Sequence, residues 1–122
     1  MPINEGVEPI YELQATVLRM LAHPRRLEII HVLADGPMEV GRIAQRLGIS
    51  QPNASQHLAL LRQTGLVEIE RNGREVRYQL TDPEVIDACS IMRGFLQRRI
   101  DRLSTVTETA AAEERAPVGA NA

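Results

Sequence analysis

Lysine is absent from this sequence, and so is tryptophan; each of its 14 formal cations is an arginine. A single cysteine, Cys89, excludes an internal disulfide framework and a thiolate zinc cage within one chain. One Phe and two Tyr leave the core to Leu, Ile, Val, Met and Ala, which favours packed helices. No apolar run approaches membrane-spanning length, so no membrane association is expected. The first residues carry Glu5 and Glu8 and no basic stretch, unlike a secretory leader, and the default expectation is a cytoplasmic protein. Overall basicity is missing too: the net charge is −2 over 122 residues, a length that fits one domain. A nucleic-acid binder of this charge has to separate its charges along the chain. This one does: residues 1–18 hold Glu5, Glu8 and Glu12 and no cation, whereas residues 42–79 hold six arginines against Glu68, Glu70 and Glu75.

What is present is helical periodicity, then a switch. Residues 1–8 read as a loose arm, with Pro2, Gly6 and Pro9 opposing an early helix. Ile10, Leu13, Val17, Leu18 and Leu21 form one helical face. Pro24 opens a second helix with the stripe Leu27, Ile30, Leu33 and Ala34, widened by Ile29 and Val32, and Asp35-Gly36-Pro37 ends it. A short helix is predicted over 40–47, with Val40, Ile43, Ala44 and Leu47 inward and Gly48 as its stop. Ser50 is placed to N-cap the next helix, which carries Pro52 in its first turn and ends at Gly65. Its buried stripe is Ala54, Leu58 and Leu61.

Alternation then replaces the helical period. Val67 and Ile69, and Val76, Tyr78 and Leu80, alternate with charged or polar residues around Asn72-Gly73, a strong hairpin signal. A turn on those two residues pairs Arg71 with Arg74, Ile69 with Val76, Glu68 with Arg77 and Val67 with Tyr78; it also sets Glu70 against Glu75. Thr81-Asp82-Pro83-Glu84 reads as a capping box for a last helix whose stripe is Val85, Cys89, Met92, Leu96, Ile100 and Leu103. Spacings of three and four resemble a coiled-coil seam. Residues 105–122, rich in Ala, Thr and Glu, read as a disordered tail, leaving 9–104 as the folded domain.

The order helix, helix, short helix, turn, helix, hairpin, long helix is that of a winged helix-turn-helix: mainly α, five helices, and a small β-hairpin wing. With Ala54, Leu58 and Leu61 inward, Gln56 and Gln63 point outward, and Gln51, Asn53 and Ser55 lie on or beside the exposed face. Gln and Asn can bond bidentately to adenine, and the helix N-terminus offers free N–H groups to a phosphate. The predicted partner is double-stranded DNA. A protein-binding winged helix is the alternative, and an apolar recognition face would favour it; this one is Gln, Asn and Ser. No nucleophile–base pair, glycine-rich phosphate loop or metal constellation speaks for an enzyme, and no cofactor is expected.

The stretches LAHPRRLEIIHVLADGP, IAQRLGISQPNASQHLALLRQTGLV and RNGREVRYQLTDPEV resemble successive signatures of the ArsR/SmtB regulators, over about residues 13–100. The resemblance implies a homodimer through the first and last helices, and repression relieved by a signal at an operator, expected to be an inverted repeat. By position it puts DNA contacts on Ser50, Gln51, Asn53, Ser55, Gln56 and His57 and, in the wing, on Arg71, Asn72, Gly73 and Arg74. Metal-sensing members place cysteines on the short helix; the matching positions here are Glu39, Gly41 and Ala44, without a thiolate. A second metal site falls on Asp82, Glu84, Phe95 and Arg98, where Phe95 cannot bind and Arg98 repels a cation, so no metal site is assigned. Cys89 reads first as a small apolar seam residue and second as a candidate thiol sensor. His23 and His31 read as structural, and His57 as flanking the buried stripe and orienting its helix.

Overall fold

The structure, a computed structural model, describes residues 6–114. It contains α1 (Pro9–Leu21), α2 (Pro24–Val32), a single 3-10 turn (Leu33–Asp35), α3 (Val40–Leu47), α4 (Gln51–Gln63), β1 (Val67–Asn72), β2 (Glu75–Leu80) and α5 (Glu84–Glu114). The architecture is the winged helix-turn-helix expected: five helices and one antiparallel hairpin among the described residues. It divides after Ile86 into two units, the first running from α1 to the start of α5 and the second holding the rest of α5.

Local chemistry sets the helix boundaries. Pro24 occupies the first turn of α2, and His23 caps that helix by accepting from the Arg25 N–H at 3.2 Å. Gly48 ends α3 in the left-handed region, φ 70°, which glycine reaches without the Cβ penalty. Ser50 Oγ accepts from the Asn53 N–H at 3.2 Å and so starts α4.

The core of the first unit is wholly aliphatic. Ile29 and Ile30 of α2, Ile43 of α3, Leu58 and Leu61 of α4 and Val67 of β1 are its largest fully buried side chains. Fully burying a side chain of this size contributes roughly 1.5–3 kcal/mol, so the packing of α2, α3 and α4 together is the main source of stability. The stripe read for α2 requires a correction. Leu27 is 43% exposed and Ala34 is exposed, while Ile29 and Val32 lie in the core. Helix α2 packs against both α3 and α4, which draws its buried face toward Ile29 and Val32.

The hairpin register also differs from expectation. The loop residues are Gly73 and Arg74, not Asn72 and Gly73, and the pairs are Val67 with Leu80, Ile69 with Tyr78, Glu70 with Arg77, Arg71 with Val76 and Asn72 with Glu75. Gly73 has φ 66°, and among the described residues no type other than glycine has positive φ, as a glycine-first turn requires. The expected register opposed Glu70 to Glu75. The observed one opposes Glu70 to Arg77 and lets Gln79 donate to Glu68 across the strands at 3.1 Å. Like charges directly opposite are destabilising, and this shift removes them while keeping each side chain on its original face. Met38 adds a bridge on the far side of β2, exchanging backbone hydrogen bonds with Tyr78 at 2.9 and 2.8 Å.

Two further corrections concern α5. Thr81 is not its cap: the Thr81 hydroxyl donates to the Gly65 carbonyl, and Asp82 accepts from the Glu84 N–H at 2.9 Å instead. The helix also continues to Glu114, ten residues past the expected boundary at 104. Ala and Glu are strong helix formers, so this composition sustains a helix already begun. The rest of the expected tail and most of the arm lie outside the described residues. Along α5, Ile91, Met92, Phe95, Leu96, Ile100 and Leu103 are all exposed. Along α1, Ile10, Tyr11, Leu13 and Leu18 are exposed as well, and only Leu21 is buried.

Candidate nucleic-acid interface

The site is built on α3, the Gly48-Ile49-Ser50 turn, α4 and the hairpin. Helix α4 is anchored by Ala54, Leu58 and Leu61, none of which is solvent-accessible. Their spacing of four and three leaves the opposite face free. On it Gln56 and Gln63 are exposed, with Asn53 exposed at its flank; Gln51 is exposed at the helix start, in line with the buried stripe and beside Gly41 of α3, and Ser55 is half-buried. Ser50 is exposed at the helix start, its oxygen engaged by Asn53 and its hydroxyl proton still free to donate.

His57 lies apart from these residues. It is half-buried, with its ring centroid 4.7 Å from that of His23, tilted by 55°. Its Nδ1 is buried without a hydrogen-bond partner among the described residues. Burial holds its imidazole below the ordinary histidine value, and the nearby His23, Arg26 and Arg25 add to the effect. His57 thus couples the recognition helix to the start of α2.

In the wing, Arg74 sits in the two-residue loop and Arg71 one pair below the last ladder pair, both exposed. Among the described residues neither makes an ion pair or side-chain hydrogen bond, and the same is true of Arg42 on α3 and Arg62 near the end of α4. By contrast Arg25, Arg46 and Arg77 are paired, with Glu28, Asp35 and Glu75. Exposed guanidinium groups without internal partners are available to an external anion. Sequence alone does not distinguish Arg42 and Arg62 from the other arginines, because pairing depends on neighbours in space.

The described residues contain no group of three or more His, Cys, Asp or Glu placed to hold a metal ion, and no helix long and apolar enough to cross a membrane. Asp82 serves α5 as its cap.

The family model described as bacterial regulatory protein, arsR family, matches residues 23–68, which run from the cap of α2 into β1. An HTH-type transcriptional regulator of Mycobacterium tuberculosis, Rv0081, is 31% identical over 103 residues, 83% of this chain and 90% of that protein. The chain belongs to the ArsR family. The crystal structure of Rv0081 superposes with a TM-score of 0.70 over 80% of this chain and 99% of its own. A biofilm growth-associated repressor of Xylella fastidiosa is 43% identical over 79 residues, 65% of this chain and 69% of the repressor. The homodimeric winged helix-turn-helix DNA-binding domain of a possible ArsR-family regulator from Mycobacterium bovis matches with a TM-score of 0.70 at 27% identity, over 81% of this chain and 95% of its own. This ArsR-family chain is accordingly a DNA-binding transcriptional regulator and not an enzyme.

Proposed function

We propose that this regulator binds an inverted-repeat operator as a homodimer in the cytoplasm and represses transcription until a signal releases it. The observation that carries the reading is the exposed face of α4, where Asn53 and Gln56 stand free, with Gln51 exposed at a helix start capped by Ser50. These side chains, with Ser55, are assigned to base edges and nearby phosphates in the major groove; Ser50 and the wing arginines Arg71 and Arg74 are assigned to phosphate or minor groove. His57, turned toward His23, is assigned a positioning role.

The dimer is assigned to α1 and α5. Both carry long exposed apolar faces, with Leu13 at 63% and Ile91 at 73% exposure. Contiguous apolar surface of this kind marks an interface. The Mycobacterium bovis neighbour described as homodimeric supports a dimer, and the exposed faces point to the helices that would form it. Light scattering at micromolar concentration is expected to give twice the chain mass of 13.6 kDa.

Selection of bound fragments from random duplex DNA supplies the test of recognition. Gln51→Ala and Gln56→Ala are each expected to cost roughly 1–3 kcal/mol on the selected site and little on random duplex. Unchanged site preference in both variants would refute the assignment of the α4 face.

A further inference from the structure

An open groove of about 570 Å³ runs between the end of α4 and β1, lined by Arg62, Gly65, Val67, Glu68, Ile69, Arg71 and, just beyond β2, Thr81. We propose that this groove seats the phosphodiester backbone of the bound duplex, with Arg62 and Arg71 as its cations. The proposal rests on the DNA reading above and deepens it: to the phosphate role already assigned to Arg71 it adds Arg62, the edge of β1 and a defined seat.

Three observations carry it. The first is charge. Arg62 and Arg71 come from different elements, line one groove, and have no ion-pair partner among the described residues. Such guanidinium pairs match phosphate oxygens in geometry as well as charge.

The second is the free edge of β1. Tyr78 spends both its backbone N–H and its C=O on Met38. Ile69 and Tyr78 therefore form a non-hydrogen-bonded pair of the ladder, and the amide of Ile69 faces away from β2. By alternation Val67 and Arg71 do the same. None of these three amides has a backbone partner among the described residues. Val67 is buried, so Ile69 and Arg71 are the residues whose amides the edge presents to the groove.

The third is shape. Small-molecule sites enclose most of their ligand, which an open groove does not do. A polymer backbone needs to be touched on one side only, and the groove is bounded by the two elements already assigned to DNA. Glu68 is the acidic residue of the lining, held across the hairpin by Gln79 at 3.1 Å, and its charge opposes the proposed occupant.

The experiment measures affinity against salt concentration for the full chain on random duplex DNA and on a selected site. Arg62→Ala and Arg71→Ala are expected to weaken binding on both, on the order of tenfold, and to flatten the log–log salt slope by about 0.9 for each phosphate no longer neutralised. Glu68→Gln is expected to strengthen binding on both. The amide resonances of Ile69 and Arg71 are expected to shift on titration with random duplex. An unchanged slope in Arg62→Ala, with these amides unmoved by duplex, would overturn the groove assignment while Gln56→Ala still tests base recognition. Amide shifts produced by a small organic anion such as benzoate, and not by duplex, would overturn it in favour of a ligand pocket. Absence of salt-dependent duplex binding by the unmodified chain would remove the DNA reading itself.

Discussion

Ser50 has two separable roles, and two substitutions divide them. Its Oγ accepts from the Asn53 N–H at 3.2 Å, satisfying one of the four amide donors that the start of α4 leaves open. Ser50→Ala removes that acceptor and costs about 1 kcal/mol, within a range of roughly 0.5–2. Because Asn53 is exposed, water can take over its N–H, which places the cost at the lower half of that range. Ser50→Gly costs only a few tenths, since glycine leaves the helix start open to solvent. Urea unfolding at one fixed chain concentration reads the difference. With a slope of about 2 kcal/mol per molar, the Ala variant's midpoint is expected to fall by roughly 0.5 M with the slope unchanged. A loss of this size leaves the chain almost wholly folded in buffer, so binding can be compared directly. The Ser50 hydroxyl proton is free to meet a phosphate, so Ala and Gly variants are expected to lose duplex affinity equally although they differ in stability. Equal stability of the two variants would refute the cap. Binding by Ser50→Gly as tight as by the unmodified chain would remove Ser50 from the interface.

Leu58→Ala, at a position with no solvent exposure, is expected to cost about 3–5 kcal/mol in the same urea assay; a loss under about 1 kcal/mol would show that α4 is not anchored there. His57 gives a pH dependence of determined sign. Its folded value lies below the ordinary 6.5, so the unfolded chain binds the proton more readily. The contribution is full above pH 6.5, is lost as the pH falls below it, and levels off beneath the folded value. His57→Gln is expected to remove that part of the slope, and parallel stability curves for the two proteins between about pH 8 and 5 would refute the coupling. Zinc, nickel or arsenite at stoichiometric concentration is expected not to release the DNA complex, as read by fluorescence anisotropy, because Glu39, Gly41 and Ala44 offer no thiolate. Release by a mild oxidant that is lost in Cys89→Ser would transfer the sensing role to the thiol.

What the sequence determined by itself is the set of features whose causes lie within a few residues. Pro24 opening α2, Gly48 closing α3, Ser50 capping α4 and the 4–3 spacing of Ala54, Leu58 and Leu61 depend on local backbone geometry, so helix order and the exposed Gln face were legible without coordinates. Tertiary structure decided whatever depends on a distant partner. The hairpin sequence allows a turn on either Asn72-Gly73 or Gly73-Arg74, and the second avoids setting Glu70 opposite Glu75 and Arg71 opposite Arg74. Leu27 and Ile29 are both large aliphatic residues, and only the packing of α2 against α3 and α4 makes one surface and the other core. Thr81 fits a capping box on paper, but the Gly65 carbonyl, 16 residues earlier in the chain, takes its hydroxyl and leaves Asp82 to cap α5. The approach of His23 to His57 joins residues far apart in the chain, and the gathering of Arg62 with Arg71 in one groove joins a helix end to a strand. A one-dimensional pattern records which side chains can serve; which of them meet follows from how the elements pack, because burial and charge pairing are properties of neighbours in space.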